Sequence, residues 1–288
     1  MSAPLTTTQL LKYALLAGQR RFQLLLLLGL IVSILSAPFA AKMLEIMQET
    51  ILAMPTDSSA PDNGQSANAM QILGDGMPTL VFCMFVTLFI NIAGFIPWTR
   101  AVAHPPLAPT GGGVSAFIKR YAHCIQRMLA GVFAYMFVLG LGLLILTIFN
   151  LALPAFGIIM TALVLLFLLT FYFFVQTAVG LAINSESCDR HEHIRIAWMR
   201  CTMFARPAVG CLVMLTLLSF ITAELFVSLY LGITGAATMP ALLPIPILIQ
   251  GVFSFMAAAL HLAALHHVPN PVKDLQAMLK KDKDKKSD

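Results

Sequence analysis

Charge is what this sequence has least of. Asp, Glu, Lys and Arg make up 11% of its 288 residues, while hydrophobic residues make up 59%. A soluble domain carries about 25% charged residues, so lipid rather than water is the solvent for much of this chain. Acidic residues are the scarcer sign, 13 against 18 Lys and Arg. The resulting +5 does not point to nucleic acid, because the basic residues flank apolar runs, where lipid headgroups account for them. The five cysteines form no CxxC pair, and none falls in a segment expected outside, which argues against a disulfide framework. There is no HExxH, GxSxG or P-loop, which weighs against an enzyme. The first apolar run has no small-residue cleavage site after it, so no cleavable signal peptide is expected.

What the sequence does have is long apolar runs. A helix rises about 1.5 Å per residue, so a ~30 Å hydrocarbon core needs roughly 20 residues. Six stretches meet that length: 22–41, 78–98, 128–150, 155–183, 207–231 and 241–266. Pro154, Pro207 and Pro240 stand at or just before span starts, where a missing N–H costs little. The fold expected is all-α, a polytopic domain over 1–269, with a short helix and a disordered basic tail over 270–288.

Orientation follows from the lysines and arginines, which stay on the cytoplasmic side. Segments 1–21, 99–127, 184–206 and 267–288 hold 17 of the 18. The opposite set holds only Lys42, against Glu45, Glu49, Asp57, Asp62 and Asp75. Both termini are therefore expected in the cytoplasm, and the acidic loop 42–77 outside. Within that loop, Met43, Met47, Ile51 and Met54 fall at helical spacing, and Pro55–Asn68 reads as a flexible segment.

Three basic segments resemble one another: Gln9–Arg21, Ser115–Arg127 and Ile194–Arg206. Each is 13 residues long and amphipathic, and each ends on an arginine that opens a pair of spans. Thr8, Gly111–Ser115 and Asn184–Ser187 supply start signals. The pattern predicts an interfacial elbow helix followed by a transmembrane hairpin, used three times. Lys12, Arg21, Lys119, Arg120, Arg127, Arg195 and Arg206 would then lie at the phosphate level and bind anionic headgroups.

This architecture resembles the YciC-type bacterial inner-membrane proteins and the related membrane domain attached to some glycerophosphodiester phosphodiesterases. The resemblance implies a six-span fold and a bacterial inner membrane. It carries over no catalytic residue.

Glu224 is the one acidic residue inside an expected span, and a carboxylate in hydrocarbon costs several kcal/mol unless paired or hydrated. Gln250, Asn91 and Gln176 could share an interior with it. Cys188, His191 and His193 form C-x-x-H-x-H, which fits no zinc signature and reads as a solvated polar turn. His261 is the one histidine expected within the bilayer, so a haem held between two spans is not expected. Gly111-Gly112-Gly113 reads as a hinge. Trp98 and Arg100 close the second span as an aromatic belt. No cofactor or metal is expected. The expected role is non-enzymatic, organising lipid or partner membrane proteins. The alternative is a small-solute or ion transporter built on Glu224.

Overall fold

The computed structural model describes residues 5–53, 65–103, 106–108, 111–152, 157–190, 192, 194–234 and 244–269. Those residues form eight helices: α1 (Thr7–Arg20), α2 (Phe22–Leu52), α3 (Gln65–Val102), α4 (Gly113–Ala152), α5 (Gly157–Ser187), α6 (Ile194–Met203), α7 (Ala205–Thr234) and α8 (Pro244–Leu265). Six of them, all but α1 and α6, are long and apolar enough to cross a bilayer. The chain is thus an all-α, multi-pass membrane protein.

Most helices overrun the expected spans because helix and hydrocarbon thickness are separate limits. α2 continues to Leu52 despite Pro38, and α3 begins at Gln65. The expected loop 42–77 is therefore largely helical, and 54–64 lie outside the described residues. The expected C-terminal helix and tail at 270–288 lie outside them too, as do His104, His191 and His193.

The elbows divide unequally. α1 is capped by Thr6, not Thr8, in a reciprocal capping box with Gln9. It breaks from α2 at Arg21 alone, and α6 breaks from α7 at Phe204 alone. The second expected elbow does not separate: Ser115–Arg127 is the first part of one unbroken helix, α4. Asn184–Ser187 start nothing; they are the last turn of α5.

The chain clusters into two units. Unit 1 comprises Met1–Phe22, Ile96–Leu217 and Ala257–Asp288; unit 2 comprises Gln23–Phe95 and Leu218–Met256. In unit 1, α4 packs on α5 and α5 on α6. Leu10, Trp98, Cys124, Leu181, Cys201 and Leu265 are fully or almost fully buried there. In unit 2, α2, α3 and α8 approach through glycines. A Cβ on Gly94 would sit 2.6 Å from a Val32 methyl and 2.9 Å from the Phe255 ring. Phe95 stacks on Phe255 at 5.0 Å. Elsewhere apolar side chains face outward, Phe133 and Phe137 being 68% and 70% exposed, as lipid-facing positions require.

Candidate functional site

The polar centre of unit 1 is built on one helix end. α5 stops at Ser187 in a Schellman motif: the Arg190 N–H bonds the Ser185 carbonyl at 2.8 Å, and the Asp189 N–H bonds the Glu186 carbonyl at 3.2 Å. The position between them requires a left-handed backbone and normally takes glycine. Here it is Asp189, at φ 58°. Asp tolerates this conformation better than most residues. Its carboxylate lies beside two arginines from other helices.

Arg120 grips Asp189 with both arms, Nε at 2.6 Å and Nη2 at 3.1 Å. Arg100 reaches the same carboxylate with Nη1 at 2.8 Å, and also donates to the carbonyls of Ser187 and Ala108. These guanidiniums hold the Asp189 carboxyl below its ordinary range, the hydrogen bond from Arg120 being the largest cause. Three residues back along α5, Glu186 is 2% exposed and takes Arg127 at 2.8 Å. Three residues on from Asp189, Glu192 accepts from Arg200 at 2.7 Å and from the Ser185 hydroxyl. Arg200 also donates to the carbonyls of Val268 and Pro269. Four arginines thus meet three carboxylates, all in unit 1.

Neutral contacts complete the cluster. The Trp98 indole donates to the Ala259 carbonyl, Asn184 to Leu262, and His266 Nε2 lies 3.1 Å from the Thr99 carbonyl, which it must meet as a donor. Tyr13 of α1 stacks on His267 at 3.9 Å. Cys188 and Cys201 are buried, and burial pushes both thiols up, Cys201 to about 12, so neither is an activated nucleophile. Beside Arg200 lies a polar pocket of about 260 Å³, lined by Ser185, Arg190, Glu192, Arg200, His266, His267, Val268 and Pro269.

The residues expected at the headgroup level separate into two groups. Lys12, Arg21, Lys119, Arg195 and Arg206 are exposed. Arg120 is buried and Arg127 largely so, both held by carboxylates rather than turned outward. Near the expected C-x-x-H-x-H turn, Cys188 and Glu192 are buried, so this is not simply a solvated loop. Gly111 and Gly112 are not a loose hinge: a Cβ on Gly111 would meet Arg100 Nη2 at 2.8 Å, and Gly112 has φ 90°. Arg100 belongs to the cluster as well as to the helix end it shares with Trp98.

Glu224 finds one of its expected partners: Gln250 donates to it at 2.8 Å. Asn91 donates to the Thr87 carbonyl one turn back and lines the same cavity as Gln250. Gln176 is on α5 in unit 1 and does not line that cavity. The buried His261 lies 3.1 Å from the Ala208 carbonyl. Among the described residues, no three His, Cys, Asp or Glu converge as a metal site.

Reasoning from sequence missed Arg100, Glu186, Asp189, Glu192 and Arg200 as a set. One signal was available. Glu186, Asp189 and Glu192 recur every third residue and are the only acidic residues between Asp75 and Glu224. Fold and cluster together define a polytopic, all-α integral membrane protein. No family model, curated protein or solved structure matches the chain.

Proposed function

We propose that this chain is a non-enzymatic protein of the bacterial inner membrane, of YciC-type architecture, with cytoplasmic termini. It organises anionic phospholipid, and through it partner membrane proteins. The supporting observation is the sorting of positive charge in unit 1. Arg100, Arg120, Arg127 and Arg200 pair with carboxylates of the same unit. Lys12, Arg21, Lys119, Arg195 and Arg206 remain at the surface, alongside the exposed apolar Leu15, Leu16, Phe22 and Met203. Cations beside exposed apolar side chains on short helices and at the ends of spanning helices are the chemistry of a headgroup boundary.

Each exposed cation contributes about 1 kcal/mol near an anionic leaflet. Replacing Lys12, Arg21 and Arg206 by Gln together then weakens the affinity of the nanodisc-embedded protein for phosphatidylglycerol by roughly a hundredfold. Lipid co-purification and thermal stability, measured in parallel, separate lost lipid from lost fold. Unchanged anionic lipid in the triple variant overturns the reading. A periplasm-active reporter fused after Ser66 is expected to be active and one after Asp189 silent; the reverse pattern overturns the orientation.

A further inference from the structure

Unit 2 encloses a second polar space, of different chemistry. A cavity of about 300 Å³ is walled by α2, α3 and α8, with Ser33, Ser36, Thr87, Asn91, Gln250 and Ser254 as its polar lining. All three helices are candidate membrane spans. Six polar side chains around one space in hydrocarbon are costly unless something satisfies them. The Ser33 and Thr87 hydroxyls are buried with no hydrogen-bond partner among the described residues.

Some of the protons on the walls are already committed. Ser36 donates to the Val32 carbonyl at 2.7 Å, and the Asn91 amide donates to the Thr87 carbonyl at 2.8 Å. Gln250 donates to Glu224 at 2.8 Å; a carboxylate accepts only, so the NH₂ end of Gln250 must face it. Each of these side chains keeps free oxygen lone pairs, and the unpartnered Ser33 and Thr87 hydroxyls can accept as well. Oxygens with free lone pairs suit a ligand that brings donors or positive charge.

The net charge of the unit has the matching sign. Unit 2 contains one basic residue, Lys42, and six acidic ones. Lys42 is exposed and held at 2.9 Å by Glu45. Glu224, an acidic side chain on a spanning helix, adjoins the cavity through Gln250. The volume corresponds to roughly ten waters at ~30 Å³ each, enough for a small cation that keeps part of its hydration shell. Hydroxyl and amide oxygens suit hard monovalent ions and primary ammonium groups rather than soft metals.

We propose that the cavity between α2, α3 and α8 binds a small monovalent cation, sodium or a primary ammonium ion, through the oxygens of Ser33, Ser36, Thr87, Asn91 and Gln250. This does not depend on the lipid-organising reading.

The test uses the full-length protein in phosphatidylcholine nanodiscs, which removes anionic lipid as a variable. Thermal unfolding midpoints are measured in sodium, ammonium or tetramethylammonium chloride at equal ionic strength. Tetramethylammonium carries the same charge but offers no N–H and cannot be closely coordinated. Sodium or ammonium is expected to raise the midpoint saturably by about 2 °C or more above tetramethylammonium. Three identical curves overturn the proposal, whatever any variant does. Asn91→Leu is expected to weaken the apparent affinity at least tenfold. Gln250→Leu, at an exposed position on α8, gives the same reading should Asn91→Leu fail to fold. A wild-type ion response in the folded variant overturns the site.

Discussion

Unit 1 contains 17 Lys and Arg and 7 Asp and Glu; unit 2 contains 1 and 6. One unit has net charge +10 and the other −5. They also differ in how their polar groups are treated. In unit 1 the carboxylates of Glu186, Asp189 and Glu192 each meet at least one guanidinium, and backbone carbonyls take up many of the remaining donors. In unit 2 two buried hydroxyls have no partner among the described residues, and the intramembrane carboxylate meets a neutral amide. Unit 1 has unpartnered buried atoms of its own among the described residues, Arg120 Nη1 and Asn184 Oδ1, so the difference lies in where such groups stand. The three clustered carboxylates of unit 1 are each paired with a guanidinium, which fits a structural role. The unpartnered Ser33 and Thr87 hydroxyls of unit 2 line a cavity, which fits internal binding.

The comparison breaks most severely if a cluster arginine proves dispensable. Arg200→Met removes the guanidinium that pairs with the buried Glu192 and frees two carbonyls. Removing one partner of a buried pair costs about 3–5 kcal/mol, so a large fall in unfolding midpoint in detergent is expected. A midpoint within 1 °C of wild type would mean that the cluster does not hold unit 1 together.

Unit 2 should instead respond to size. Gly94→Ala drives a Cβ to 2.6 Å from Val32 and 2.9 Å from Phe255. Overpacking of this kind costs about 1–3 kcal/mol. Gly29→Ala, whose new Cβ meets nothing nearer than 3.5 Å, is expected to be nearly neutral in the same thermal assay. Equal effects from the two would remove the close approach of α2, α3 and α8 as the reason for the glycines.

A smaller effect follows from acid. Asp189 has a folded-state pKa below its ordinary value, chiefly through Arg120. Its contribution is present above the unfolded value, about 3.9, and fades as pH falls through the lower folded value. Stability of the wild type, measured from pH 6 down to pH 3, should fall more steeply than that of Asp189→Asn. Parallel curves would place the acid sensitivity elsewhere.

The least effect on folding is expected at the exposed cations. Lys12→Gln and Arg206→Gln should each change stability by less than about 0.5 kcal/mol. A fall like that of Arg200→Met would show that the outer cations belong to the structural set after all.

Much of this was legible in the sequence, and the reason is the solvent. A bilayer demands some 20 apolar residues per crossing, and that requirement is local, so all six spans could be located from hydropathy. Their ends could not, because α2 and α3 continue as helix beyond the apolar run. The Glu224–Gln250 pair was half legible: intramembrane polarity singled out both residues, but not which others stood beside them. The cluster was least legible. Arg100 lies 89 residues from Asp189, and the Thr99 carbonyl 167 residues from His266; no periodicity reports contacts at such separations. Glu186 resembles a cap signal for a following helix until one knows that α5 runs through it.

The turn at Asp189 bears on how the protein is made. Arg100 and Arg120 are synthesised before the carboxylate that neutralises them, and Val268 and Pro269, which receive Arg200, come later still. During insertion the early arginines therefore remain hydrated. They lose their water only after α5 has ended, and the enclosure of Arg200 waits on the arrival of α8. In a chain whose spans can enter the bilayer one after another, this cluster acts as a completion check: its burial marks a molecule in which the last helix has arrived.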